Sequence, residues 1–259
     1  MCGAKVSLNA QFAALAGLLI ALFVCSEAGH RLGARLGADG EHGVPSDVAG
    51  ALVGMLALLL GFTVSMAETR FEARKHLVIE EANAIGTAAL RTDLLPPPVA
   101  ERSRELFVRY LAARIRWGEE AGAPARQAEI QREESELQAE LWQLSVAAST
   151  QRPSPTTALY VNALNAVIDL QAERAYTRAN RVPPTVLFLL ATIALLSTFA
   201  LAVSLGQRGK RSAALHGLAL ATWLVFWLIV DLDQPRRGWI QVSQGPLVRL
   251  HQSLLPTEP

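Results

Sequence analysis

The sequence has 259 residues, of which 51% are hydrophobic, and its formal net charge is +1. It contains no strongly basic domain, which excludes the electrostatic signature of a nucleic-acid-binding protein. Of its two cysteines, Cys2 is near the start and Cys25 lies in an apolar run, so neither a disulfide framework nor a C-x-x-C metal motif is present. We expect no cofactor. Most charged side chains fall in residues 68–182, between largely uncharged flanking regions.

Four apolar segments predict membrane-spanning helices, because about 20 apolar residues cross the ~30 Å hydrocarbon core of a bilayer. The second and third segments contain no charged residue and no polar stripe, which favours lipid rather than a protein interior around them. The sequence therefore predicts an all-α, four-helix integral membrane protein within a lipid bilayer, with a cytoplasmic helical bundle inserted between the second and third spans. The segments are residues 10–25 (extending through residue 28 at the interface), 48–67, 183–205 and 213–230.

The first span has two interpretations that the sequence leaves open. Lys5, the apolar run and the small residues around Ser26 and Ala28 are compatible with a cleaved signal peptide. However, the run is long for the apolar region of a signal peptide, and Val24 before Cys25 does not match a lipobox. These features favour a retained span.

Prolines and glycines divide the charged insert into predicted helices. The second span is predicted to continue to about residue 95, where three consecutive prolines stop it. Further helices are predicted over residues 99–120, 125–149 and 156–181, each with one apolar face that packs within a bundle or against other copies of the chain. The predicted divisions are residues 1–67 (first transmembrane helix pair), 68–182 (cytoplasmic helical domain), 183–231 (second transmembrane helix pair) and 232–259 (C-terminal cytoplasmic tail).

The distribution of positive charge favours a cytoplasmic location for both termini and the insert. With four spans these parts share one side of the membrane, and the two short loops share the other. The first side has the excess of lysine and arginine, although the basic loop between the third and fourth spans favours the opposite orientation. The first side has Lys5, Arg70, Arg74, Lys75, Arg178, Arg181, Arg236 and Arg237; the opposite side has Arg31, Arg35, Arg208, Lys210 and Arg211.

No arrangement of residues predicts an enzyme. The five histidines lack metal-ligand spacing, and the phosphate-binding and serine-nucleophile motifs are missing. The adjacent Glu80 and Glu81 point to different faces of a helix, so a solvated or ion-paired role is favoured over acid–base catalysis. The acidic run of Glu133, Glu134 and Glu136 is interpreted as a water-exposed helix face. We expect no catalytic residues and no metal ligands.

The second span carries the most informative pattern. Gly50, Gly54, Leu58 and Phe62 fall at four-residue steps along one helix face, and Ser65 follows about one turn later. Two interpretations remain open. In the first, the glycines let another helix pack closely, as in G-x-x-x-G motifs. In the second, the Leu58–Phe62 face lines an axial path made by several copies and forms a hydrophobic constriction that controls ion flow by dewetting.

Several short stretches resemble a known family. Gly61-Phe62-Thr63-Val64-Ser65 followed by Arg70 is similar to the second membrane helix of bestrophins, which are pentameric anion channels. Asp231-Leu232-Asp233-Gln234-Pro235 is similar to the acidic segment with proline that follows their last membrane helix. The chain resembles bacterial bestrophin-like membrane proteins more closely. That resemblance also includes the stretches at residues 80–87, 91–95, 180–183 and 235–238.

The resemblance implies an oligomer, by analogy a pentamer, in the bacterial inner (plasma) membrane, with a path for small anions through the second spans. Phe62 would match a neck residue, with Leu58 and Gly54 one and two turns earlier; Gly54 departs from the bulky residue expected there. Asp231 and Asp233 supply too few carboxylates for calcium, so we expect no calcium gating. The candidate site residues are Gly54, Leu58, Phe62 and Ser65 along the pore and Arg70, Arg74, Asp231 and Asp233 beside the membrane.

The alternative function is a non-conducting membrane scaffold or signalling protein whose cytoplasmic helices bind partner proteins. It predicts a sealed bundle of second spans and a docking surface within residues 99–149.

Overall fold

The computed structural model describes residues 8–37, 44–120, 124–151, 153–209, 213–234 and 238–255. Within these ranges all regular structure is helical, which confirms the predicted all-α class. Among the described residues, four helices are long and apolar enough to cross a membrane, as predicted. The helices are α1 (Leu8–Leu36), α2 (Ser46–Arg91), α3 (Pro97–Glu119), α4 (Pro124–Gln151), α5 (Pro155–Ala179), α6 (Pro184–Gln207), α7 (Ala213–Asp233) and α8 (Gly245–Leu254), with a 3-10 turn at Thr92–Leu94.

Prolines begin most of the helices that follow α2. A proline at the first helical position costs no hydrogen bond, because the N–H groups of the first turn have no partner within the helix. At α5 the Ser154 hydroxyl also accepts a hydrogen bond from the Thr157 N–H at 3.1 Å. By contrast, α2 contains no proline and runs for 46 residues without a break, as predicted for the extension of the second span.

The chain divides into two compact units. Unit 1 consists of Met1–Thr69 and Arg181–Gln234, and unit 2 consists of Arg70–Asn180 and Pro235–Pro259. Unit 1 therefore contains the apolar helices α1, α6 and α7 and the first part of α2. Unit 2 contains the rest of α2, the helices α3, α4 and α5, and the C-terminal α8. The cytoplasmic location of the inserted helices stays a prediction.

Glycines allow α1 and α6 to pack with their backbones in contact. A Cβ atom placed on Gly33 would lie 2.1 Å from the Val203 carbonyl oxygen, and one on Gly206 would lie 2.3 Å from the His30 carbonyl oxygen. Gly29 is similarly close to α6. Such close approach gives van der Waals contact that lipid-exposed helices otherwise lack. Within unit 1, glycines of α1 therefore provide close helix packing, and the packing of the second-span glycines against another helix stays a prediction.

Unit 2 has a hydrophobic core formed by the predicted apolar stripes of its helices. Helix α8, which the sequence analysis did not predict, packs against α3, and its Leu250 side chain lies close to Gly86 of α2. These stripes pack within the chain, so intramolecular packing accounts for most of them. The fully buried residues of these apolar faces include Phe107 and Leu111 of α3, Ile130 and Leu141 of α4, and Tyr160, Leu164 and Val167 of α5.

Candidate functional site

The face of α2 that was predicted to line a path lies on the surface of unit 1. Leu58 and Phe62 are 58% and 64% exposed, and Gly54 and Ser65 are also exposed. The opposite face of α2 is buried, and it includes Leu56, Leu60 and Thr63. One side of the span therefore packs inside the chain, and the predicted side is left for lipid or for another copy.

Small residues distinguish this face from the exposed part of α6. A Cβ atom added to Gly50, Gly54 or Gly61 would meet no atom within 4 Å. The exposed part of α6 instead presents bulky side chains such as Phe188 and Leu196. Gaps between large side chains allow a helix to approach closely, whereas a surface facing lipid tails gains nothing from glycine. The face along Gly50, Gly54, Leu58, Gly61, Phe62 and Ser65, hereafter the second-span face, is therefore suited to contact between copies.

Of the two aspartates at the end of the fourth span, Asp233 has a clear structural contact. The carboxylate Oδ1 of Asp233 accepts a hydrogen bond from the Val182 N–H at 3.0 Å, just before α6 begins. Asp231 and Asp233 are both buried. This contact ties the end of α7 to the start of α6 within unit 1. Within the described ranges, no three His, Cys, Asp or Glu side chains come together in a group that could hold a metal ion.

The two candidate arginines after the second span belong to unit 2. The Arg74 side chain is buried, and its Nη2 donates a hydrogen bond to the Asn180 carbonyl oxygen at 3.0 Å. Arg70 is half-buried, one turn earlier on α2. Arg74 therefore connects α2 to the residue that follows α5, which is a positioning contact for the end of that helix.

Sequence reasoning missed a buried ionic network in unit 2. Arg114 of α3 contacts Glu81 of α2 at 2.7 Å and donates from Nη1 to Glu134 of α4 at 3.0 Å. Arg174 of α5 forms a second ion pair with Glu81. Gln171 donates a weaker hydrogen bond to Glu134 at 3.3 Å. Two arginines and two glutamates thus join four helices with balanced charge.

The network corrects one interpretation and confirms another. Glu134 is buried, so the prediction of a water-exposed acidic face is wrong at that position, although Glu136 is exposed. The ion-paired interpretation of Glu81 is confirmed. The sequence did contain a signal for this network. Glu81, Arg114 and Glu134 each lie on the apolar face of their helix, and the positive charge of Arg114 is opposite in sign to the two carboxylates. A buried charge without an opposite charge would be very costly.

Burial in this core also changes the titration of its members. Desolvation raises the pKa of Tyr110 to about 12, and Gln138 donates a hydrogen bond to its hydroxyl at 3.1 Å. Burial lowers the pKa of the Arg174 guanidinium to about 10, which still leaves it charged at neutral pH. The core of unit 2 is therefore a desolvated site in which buried charged side chains are stabilised by ion pairs with one another.

Comparisons with known proteins agree with the arrangement of the helices. The model of a family described as Bestrophin-like domain matches residues 10–247. Two crystal structures of a bacterial bestrophin homologue from Klebsiella pneumoniae, each with one substitution, align with TM-scores of 0.72 and 0.66 at 13% and 14% identity. The alignments cover 93% and 98% of this chain and 97% and 96% of those chains.

A third crystal structure, described as that of a membrane protein, aligns with a TM-score of 0.70 at 13% identity, over 93% of this chain and 97% of the other. No curated protein sequence matches the chain. At these identities the structural likeness establishes the fold alone. Together with the four apolar helices and the family match, it supports an integral membrane protein.

Proposed function

The chain belongs to the Bestrophin-like family, and we propose that it forms a homo-oligomeric channel for small anions whose path is lined by the second spans. The observation that carries the proposal is the exposed second-span face, which combines glycines with Leu58 and Phe62. We infer a pentamer from the bestrophin resemblance. The proposed role is passive conduction rather than catalysis.

The proposed mechanism depends on the size of the side chains along the face. Rings of Leu58 and Phe62 from several copies would form an apolar constriction, in which a narrow water column is unstable and ions cannot keep their hydration. Gly54, one turn before Leu58, adds no side chain, so the path is expected to be wider there. Ser65 supplies a hydroxyl on the other side of the constriction.

The proposal is tested by conductance of the purified protein in planar bilayers, with Phe62→Ala as the test variant. Phe188→Ala is a matched control, because Phe188 is 76% exposed on α6 and loses the same ring. We expect Phe62→Ala to raise chloride conductance, since a barrier lowered by ~1 kcal/mol increases a rate about fivefold. Phe188→Ala should leave it unchanged. A silent bilayer from a well-folded oligomer, or equal effects of the two variants, would contradict the proposal.

The rival function is a non-conducting scaffold that binds other proteins through unit 2. Exposed apolar side chains within residues 99–149 favour this alternative, among them Trp142 and Val146, which are 39% and 49% exposed. The scaffold predicts that the protein seals the membrane in every ionic condition and that partner proteins co-purify with it. Trp142→Ala should release such partners, and the membrane should stay sealed.

We also propose that both termini lie in the cytoplasm and that the protein resides in the bacterial inner membrane. The excess of basic residues on the side of the termini supports this orientation. Fusions of a fluorescent protein or alkaline phosphatase to the C-terminus test it. Fluorescence without phosphatase activity is expected, and the reverse result would invert the topology.

A further inference from the structure

Three arginines line a small pocket in unit 2. The volume available in it is about 20 Å³. A cavity needs roughly 10–15 Å³, measured as the space open to the centre of a water molecule, to hold one water molecule. The pocket therefore has room for one water molecule or one ion of similar size. Its described lining residues are Arg74, Leu77 and Val78 of α2, Arg174, Thr177 and Arg178 of α5, and Val242 and Gln244 before α8.

The three guanidinium groups are held in place by contacts on different sides. Arg74 donates to the Asn180 carbonyl oxygen, and Arg174 pairs with Glu81. The Arg178 guanidinium lies over the Trp117 ring, 3.4 Å from its centroid. Side chains fixed in this way lose little further freedom when they bind a ligand, so the site is preorganised.

The composition of the lining favours an anion over a water molecule. None of the described residues that line the pocket is acidic. Each guanidinium offers several N–H donors, and the Thr177 hydroxyl adds another. Donors with positive charge bind an anion more strongly than a neutral acceptor.

We propose that this pocket binds one monatomic anion of halide size, such as chloride or bromide. A volume of about 20 Å³ fits an anion of this size. The site lies within unit 2 and is built from different residues than the second-span face. Binding here does not depend on whether the protein conducts ions.

The direct test is a crystal of the full-length protein grown in sodium bromide. Bromide gives an anomalous diffraction signal that water does not, so a peak among Arg74, Arg174 and Arg178 is expected. An ordered water without anomalous signal in the pocket, or bromide peaks only elsewhere, would overturn the proposal.

A second test compares thermal unfolding in chloride with unfolding in gluconate at the same ionic strength, which separates binding from screening. Binding to the folded state should raise Tm progressively once chloride exceeds its Kd. Thr177→Leu fills the pocket and should abolish this increase, whereas Thr87→Leu, at an exposed position on α2, should retain it. An increase that persists in Thr177→Leu would refute the pocket as its source. The bromide crystal of the unaltered protein decides the matter if Thr177→Leu fails to fold.

Discussion

Arg114 provides the sharpest test of the buried network, because the chain contains a matched exposed pair two residues away. The Arg114 side chain and its two glutamate partners are 0–3% exposed. Arg116, on the same helix, contacts Glu133 at 2.8 Å, but these two side chains are 42% and 36% exposed. Substituting each arginine by methionine removes one charge from the same helix and leaves an unbranched apolar side chain in its place.

The expected costs differ because of burial. Removing Arg114 leaves Glu134 buried with only the neutral amide of Gln171, and leaves Glu81 with Arg174 alone. Breaking a buried ion pair by removing one side typically costs 3–5 kcal/mol, so we expect a loss of roughly 3–4 kcal/mol for Arg114→Met. For Arg116→Met the expected loss is about 0–1 kcal/mol, since water solvates the remaining carboxylate.

The measurement is the urea midpoint of each purified variant in mild detergent, followed by near-UV circular dichroism. Urea is preferred because guanidinium chloride adds salt that screens charges. With an m-value of about 2 kcal/mol/M, a loss of 3 kcal/mol lowers the midpoint by ~1.5 M. The reasoning would be refuted if Arg114→Met and Arg116→Met had midpoints within about 0.5 M of each other.

Three further predictions follow from burial and contact. Gly33→Ala places a Cβ against the backbone of α6 and should lower the free energy of unfolding by ~3 kcal/mol, measured as a lower Tm in detergent. Gly17→Ala, on the same helix, adds a Cβ in open space and should leave Tm unchanged. Leu58→Ala should raise chloride conductance while Leu196→Ala, 56% exposed on α6, should not; equal values would remove Leu58 from the path. The pKa of Tyr110 is raised from 10.0 to about 12, so the folded protein keeps a neutral phenol that the unfolded chain loses above pH 10. The stability that this shift contributes is therefore lost between pH 10 and 12, on the order of 2–3 kcal/mol, and Tyr110→Phe should flatten the alkaline loss of Tm.

The helices were predictable because their signals are local. Apolar length predicted the spans, and prolines marked where helices stop and begin, so the positions of α3, α4 and α6 agree closely with the predicted segments. Periodicity also predicted that each helix of the insert packs through one apolar face, since side chains three and four residues apart share a helix face. The family resemblance, carried by short stretches, is confirmed by a match that covers residues 10–247.

The errors and omissions occur where a residue's environment depends on distant parts of the chain. The sequence contains glycine pairs four residues apart on both α1 and α2, and only tertiary packing distinguishes the pair at Gly29 and Gly33, which contacts α6, from the one left exposed. Helix α8 is short, and its position depends on α3 rather than on strong local signals.

The sequence by itself determined that the chain is helical, that four segments are apolar enough to enter lipid, and where each helix is interrupted. These properties depend on side-chain hydrophobicity and backbone chemistry over a few turns. Only the tertiary structure decided that Glu134 is buried against Arg114, that three arginines share a pocket, and that the second-span face remains uncovered within one chain. Burial and ion pairing join residues far apart in sequence, so their outcome requires the packed helices.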